Sequence, residues 1–274
     1  MAEMFTEKSR NPLTSNRSGA FILPKEILAY RQPTICRLAN KNCYGKKSMI
    51  DRAARDEVIT AFEAYLDDQI TAFEFDDRLQ DISSEDRTVN EVVHAAWFHY
   101  DDCTDHKVHL SKPEWDYFQR LLLILRSDAE LSSSEEKRWS WDHALAWFAL
   151  VGFIGIAMIA GWGWHLLLWA IPFGIISVLI SVYRRRQEPD PRPDEIACVP
   201  FDSFAQIRQF RQVIPEFVKR RYRREIGQRT IRGKAEESFN WAFSHCYWIL
   251  CGPIVLLFQG FPSSVDHTWK LTKP

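Results

Sequence analysis

The chain has 274 residues, 26% of them charged and 46% hydrophobic, with a formal net charge of −1. That length allows one or two domains. Six scattered cysteines without a CxxC pair exclude a zinc ribbon and a thioredoxin-type motif.

The near-neutral total hides a segregation by blocks. Residues 1–50 carry nine Lys/Arg and three Asp/Glu, and residues 51–142 carry ten and twenty-three. Residues 184–240 carry fourteen and nine, and residues 143–183 carry none of the four. Such asymmetry means that the blocks face different surroundings.

The basic arm, 1–50, opens without an apolar h-region, so no cleavable signal peptide is expected and the N-terminal part should stay in a reducing cytosol. Its first twenty residues are expected to be disordered. "FILPKEIL" (21–28) is apolar enough to dock.

The acidic block, 51–130, reads as helices near 52–68, 72–83, 89–101 and 112–127. Val58, Ile59, Phe62 and Leu66 fall on one face of the first, and Trp115, Phe118, Leu122 and Leu125 on one face of the last. Thr71-x-x-Glu74, Thr88-x-x-Glu91 and Ser111-x-x-Glu114 match the capping box, whose hydroxyl and carboxylate satisfy amides at a helix start. No alternating strand pattern competes. "ITAFEFDDRL" (70–79) and "RTVNEV" (87–92) resemble the short helical modules called SHOCT-like and DUF1707. The resemblance covers 51–93. It implies a small non-catalytic helical module, often tethered to membrane helices, with no active-site residues to carry over. The glycine usual before the second helix is absent; Asp68-Gln69 stands there.

"HYDDCTDHKVH" (99–109) follows, the densest group of ligand-type side chains. Cys103, His106 and His109, with His99 or Asp102 as the fourth, could furnish a zinc site. The same residues also suit a polar joint between two helices, with histidine favoured at a helix C-terminus. The joint is the leading expectation.

Within 131–183, segments 144–160 and 165–183 each approach the roughly 20 residues that cross a bilayer core as a helix. "GWGW" between them is a turn with interfacial aromatics. Ala157-x-x-x-Gly161 suits close helix packing, within the chain or in a homo-oligomer. "EPDPRPDE" (188–195) reads as an extended linker. Residues 202–225 carry an apolar stripe amid cations, and Pro215 should kink the helix. Such a helix fits the headgroup zone, which makes Arg184, Arg185, Arg186, Lys219, Arg220, Arg221, Arg223 and Arg224 candidate lipid-facing cations. Docking of the same helix on the acidic block is the alternative. Nucleic acid is disfavoured by the membrane tether. Segment 241–258 is a third transmembrane or re-entrant helix, followed by a tail, 259–274.

The positive-inside rule puts 1–142 and 184–240 in the cytoplasm and the "GWGW" turn outside, as in a bacterial inner-membrane protein. If 241–258 crosses, the tail emerges on the far side. No nucleotide, hydrolase or metalloprotease motif occurs, so no cofactor is expected. The expectation is an all-α membrane protein: a cytoplasmic helical domain, a transmembrane hairpin, a basic interfacial helix and a third membrane helix. Its expected role is a membrane-anchored interaction or regulatory subunit, not an enzyme. The alternatives are an oligomeric pore or transport component and a metal-dependent membrane enzyme built on 99–109.

Overall fold

The computed structural model describes residues 49–101, 103–187 and 197–272. The expectations for the basic arm up to residue 48, the linker 188–195 and Asp102 lie outside the described residues.

Four helices build the body that precedes the membrane segments: α1 (Arg52–Leu66), α2 (Ala72–Asp81), α3 (Arg87–Trp97) and α4 (Lys112–Arg126). All eight apolar residues singled out on the first and last helices are buried. Phe62 meets Phe75 edge-on and lies against Phe118, which joins α1, α2 and α4 in one core. The capping boxes at Thr71 and Ser111 form. Glu74 accepts the Thr71 amide at 3.0 Å, and Glu114 accepts the Ser111 amide at 2.7 Å. The third expected box does not. Asp86 caps α3, taking the Thr88 amide at 2.9 Å, while the Thr88 hydroxyl serves Leu131. Asp86 wins because one carboxylate there also satisfies buried Arg55.

The expectation of an all-α chain needs a correction. The fold is mostly helical, but β1 (Leu131–Arg138) pairs antiparallel with β2 (Ser263–Leu271), with Leu131 opposite Leu271 and a bulge at Glu136/Lys137. "LSSSEEKR" has no apolar alternation. Its register comes from a distant partner and from Leu131, which is buried beneath the ribbon.

Helices α5 (Trp141–Ala160) and α6 (His165–Gln187) are long and apolar enough to cross a membrane, and their outer faces expose large apolar side chains. The Phe153 and Phe173 rings meet between them at 5.3 Å. The third segment is broken. α9 (Lys234–Leu250) and α10 (Gly252–Gln259) meet at a 76° bend. Pro253 lies in the first turn of α10, where its missing amide costs nothing. The bend sits against the middle of α6. A Cβ on Gly174 would stand 2.0 Å from the Ile249 carbonyl oxygen, and one on Gly252 would stand 2.2 Å from the Gly174 Cα. Only glycine at both positions permits this crossing. The eight residues of α10 then rise about 12 Å, under half of a bilayer core. They end at Gln259, beside Ser181 and Arg184 near the end of α6.

β2 returns to β1, which directly precedes α5. Arg232, just before α9, pairs with Asp101 of the helical body. Both ends of the bent α9–α10 wedge thus attach to that body.

The expected long amphipathic helix over 202–225 is shorter. α7 (Phe204–Val213) stops before Pro215, because the residue preceding a proline is disfavoured in the α region. The chain then runs without helix or strand to the short α8 (Arg224–Gln228). Most of its apolar stripe faces the helical body: Ile207 and Phe210 are buried in that core and Ile214 and Phe217 pack against it, with Tyr222 and Ile226, while Val213 and Val218 are exposed.

Candidate functional site

The 99–109 segment is used up by its neighbours. His106 Nε2 accepts the Asp101 amide at 3.1 Å, and Nδ1 lies 2.7 Å from the Lys107 carbonyl. A carbonyl only accepts, so Nδ1 carries the proton and neither ring nitrogen is left for a metal. The His106 carbonyl accepts the Ala72 amide at 2.8 Å and Asp105 Oδ1 accepts the Phe73 amide at 3.1 Å. Together with Thr71, the loop satisfies the first three amides of α2, and Asp105 sits at the positive end of its dipole.

The other candidate ligands point apart. His99 packs its ring on Tyr117 and Phe118 and sits 3.9 Å from Glu114. Burial would raise the Glu114 carboxyl, but bonds from His99 and Ser111 hold it below its ordinary value. His109 is half-buried, and burial pushes its imidazole down toward the neutral form. Cys103 is exposed. Among the described residues no three His, Cys, Asp or Glu side chains are placed to hold a metal ion.

What the segment does gather is the basic segment. Arg232 reaches Asp101 at 2.8 Å with both side chains nearly buried, and also the Thr104 hydroxyl at 3.2 Å. Arg229 clasps Asp68 with two bonds of 2.6 and 2.7 Å and gives a third to the Val108 carbonyl. Its hydrogen bonds hold the Asp68 carboxyl below the usual carboxylate range. Asp68 stands at φ +67°. That left-handed position, uncommon for a residue with a Cβ, here presents a carboxylate to the basic segment.

Upstream, Arg220 is pinned through its backbone. Its amide donates to Gln119 Oε1 at 3.0 Å and its carbonyl accepts the Trp115 indole at 3.2 Å. Its side chain pairs with Glu63 and Asp67.

The candidate lipid-facing cations thus divide. Arg220 is committed to carboxylates of the acidic block, Lys219 pairs with Asp116 at 2.7 Å, and Arg184 pairs with Asp142. Arg186, Arg221, Arg223 and Arg224 are exposed, and the Arg185 side chain lies outside the described residues.

A second polar cluster, not anticipated, closes the base of the membrane helices. Asp142 is nearly buried in the first turn of α5 and meets Arg184. Arg184 also donates to the Gln259 carbonyl at 2.7 Å. The Gln259 amide reaches the Ser177 carbonyl and the Ser181 hydroxyl, and Trp248 donates to the Ser177 hydroxyl at 3.0 Å. The available signal was an acidic residue opening an apolar helix while an arginine closes its partner. In an apolar surrounding such groups must find one another.

Comparison with protein-family models, curated proteins and solved structures finds no match in any of the three.

Proposed function

We propose that this protein is a membrane-anchored protein-interaction or regulatory subunit. On this reading α5 and α6 cross the bilayer, α9–α10 dips into it and returns, and the helical body with its docked basic segment lies in the cytoplasm. One observation carries the reading: the helical body is tied to the membrane helices at both Arg232–Asp101 and β1–β2, so it is held as a platform at the surface. A pair of separate ties favours a scaffold whose exposed faces meet a partner beside the bilayer.

The face offered is aromatic. His94, Trp97 and Phe98 cluster at the end of α3, with ring centroids 5.1 and 5.5 Å apart, and Phe98 is half exposed. Aromatic residues concentrate at interface hot spots. A photo-crosslinking residue at Phe98, in the full protein in intact membranes, tests this. A discrete heavier adduct is expected, and it should vanish with Trp97→Ala. Crosslinks only to lipid or to the protein itself would sink the reading.

A further inference from the structure

We propose that the outward side of residues 219–223, with the groove beside it, binds the phosphate of an anionic phospholipid headgroup. Exposure alternates along the segment: Lys219, Arg221 and Arg223 are exposed, and Arg220 and Tyr222 are partly buried. Arg220 and Tyr222 are fixed inward: Arg220 by Gln119, Trp115, Glu63 and Asp67, and Tyr222 by its bond to the Leu110 carbonyl at 3.1 Å. Lys219, Arg221 and Arg223 are therefore left on the exposed side.

Lys219 is neutralised by Asp116. Among the described residues Arg221 and Arg223 form no ion pair, and the one bond of Arg223 goes to the Leu66 carbonyl at 3.4 Å. Both line an open groove of about 560 Å³ whose other walls are Asp67, Trp115 and Arg220. Asp67 is already matched by Arg220, so the groove keeps the charge of two guanidinium groups. Arg208 and Arg211 on α7 and Arg224 on α8 are likewise exposed and in no ion pair among the described residues. A body this acidic has carboxylates to spare, yet none of those described pairs with these five arginines. A rigid backbone that holds like charges together is stabilised by an external anion. Two planar guanidinium forks lining one groove suit a phosphate, which takes paired hydrogen bonds from each.

The source follows from chain position. The segment lies between α6 and α9, so on the membrane reading it is held at the bilayer surface, where phosphodiesters are the commonest anions. The inference rests on that reading for the source of the phosphate only.

The full-length protein in a nonionic detergent is titrated by calorimetry with short-chain phosphatidylglycerol, with phosphatidylcholine of the same chain length, and with inorganic phosphate. Phosphatidylglycerol is expected to bind at least tenfold tighter than phosphatidylcholine. The Arg221→Gln/Arg223→Gln variant is expected to lose at least tenfold of that affinity at an unchanged melting temperature. Arg221→Gln alone, which removes no protein contact, should lose part of it and serves if the double variant melts early. Equal binding of the two lipids, or a variant that binds as the parent does, overturns the site. Inorganic phosphate binding as tightly as the lipid overturns the headgroup assignment. The titration uses no bilayer, so its failure is distinct from a failure of the topology, which cysteine labelling reads separately.

Discussion

Arg55 on α1 and Asp86 at the start of α3 form an ion pair with neither side chain exposed, bonded at 2.6 and 3.2 Å. Arg55 Nη1 donates to the Ser127 and Ala129 carbonyls, and Asp86 also accepts the amides of Asp51 and Thr88. The pair therefore closes the chain from α1 to the start of β1 around one point.

Removing one partner leaves an uncompensated buried charge, which costs about 3–5 kcal/mol. Arg55→Leu is therefore expected to lower the denaturation midpoint sharply. Asp86→Asn keeps only one of the two accepted amides and leaves the buried Arg55 charge unmatched, so it should cost as much. Denaturant melts followed by circular dichroism read both; small effects in both would show the pair to be incidental.

Two carboxyls give the pH dependence. Burial raises Asp86, but Arg55 outweighs it and the net shift is downward; Asp68 is lowered chiefly by its bonds to Arg229. A lowered folded value means that the stabilisation is complete above the unfolded carboxylate value of about 3.9. It disappears as pH falls through the folded value. The melting temperature should hold from neutrality to about pH 5 and then drop. Arg229→Gln should remove the Asp68 share of that acid limb, leaving a shallower decline.

The Gly174–Gly252 crossing allows no side chain. Gly174→Val should displace the wedge and cost about 1–3 kcal/mol or more. Gly155→Val, where a Cβ would meet nothing within 4 Å, should be nearly silent. Thermal melts of both variants in one detergent make the comparison; equal losses would place the contact elsewhere.

The strand pair predicts sidedness. Cys103 and a cysteine at Lys270 should label from the same side of sealed membranes, and a cysteine at Trp162 from the other. Labelling of position 270 together with 162, and not with 103, would mean that α9–α10 crosses.

The sequence was most legible where a structure is encoded within one turn or one helix. The Thr71 and Ser111 boxes, the buried faces of α1 and α4, and the charge-free stretch 143–183 that makes up most of α5 and α6 are all local patterns. Thr88-x-x-Glu91 misled because its hydroxyl and carboxylate are claimed by Leu131 and Ser133, more than forty residues away. β1 was invisible for the same reason: a polar strand acquires its pairing from β2. The basic segment carried a real apolar stripe, and periodicity says that a face is covered without saying by what. Its cover is the acidic body, with Asp68, Asp101 and Glu63 as the receiving carboxylates. The 99–109 histidines drew attention by density, yet density does not show that His106 spends both nitrogens on the backbone.

The ribbon also sets an order of events. Glu130 bonds Thr272, 142 positions further along the chain, and Leu131 is covered from that side. During synthesis α1 to α4 can assemble early, but the floor beneath Leu131 stays open until residues 263–272 have been made. On the membrane reading the α5–α6 hairpin is inserted in the interval, while the body beside it is unfinished. A nascent chain stalled before residue 263 would hold an inserted hairpin and a helical body with one apolar edge still bare.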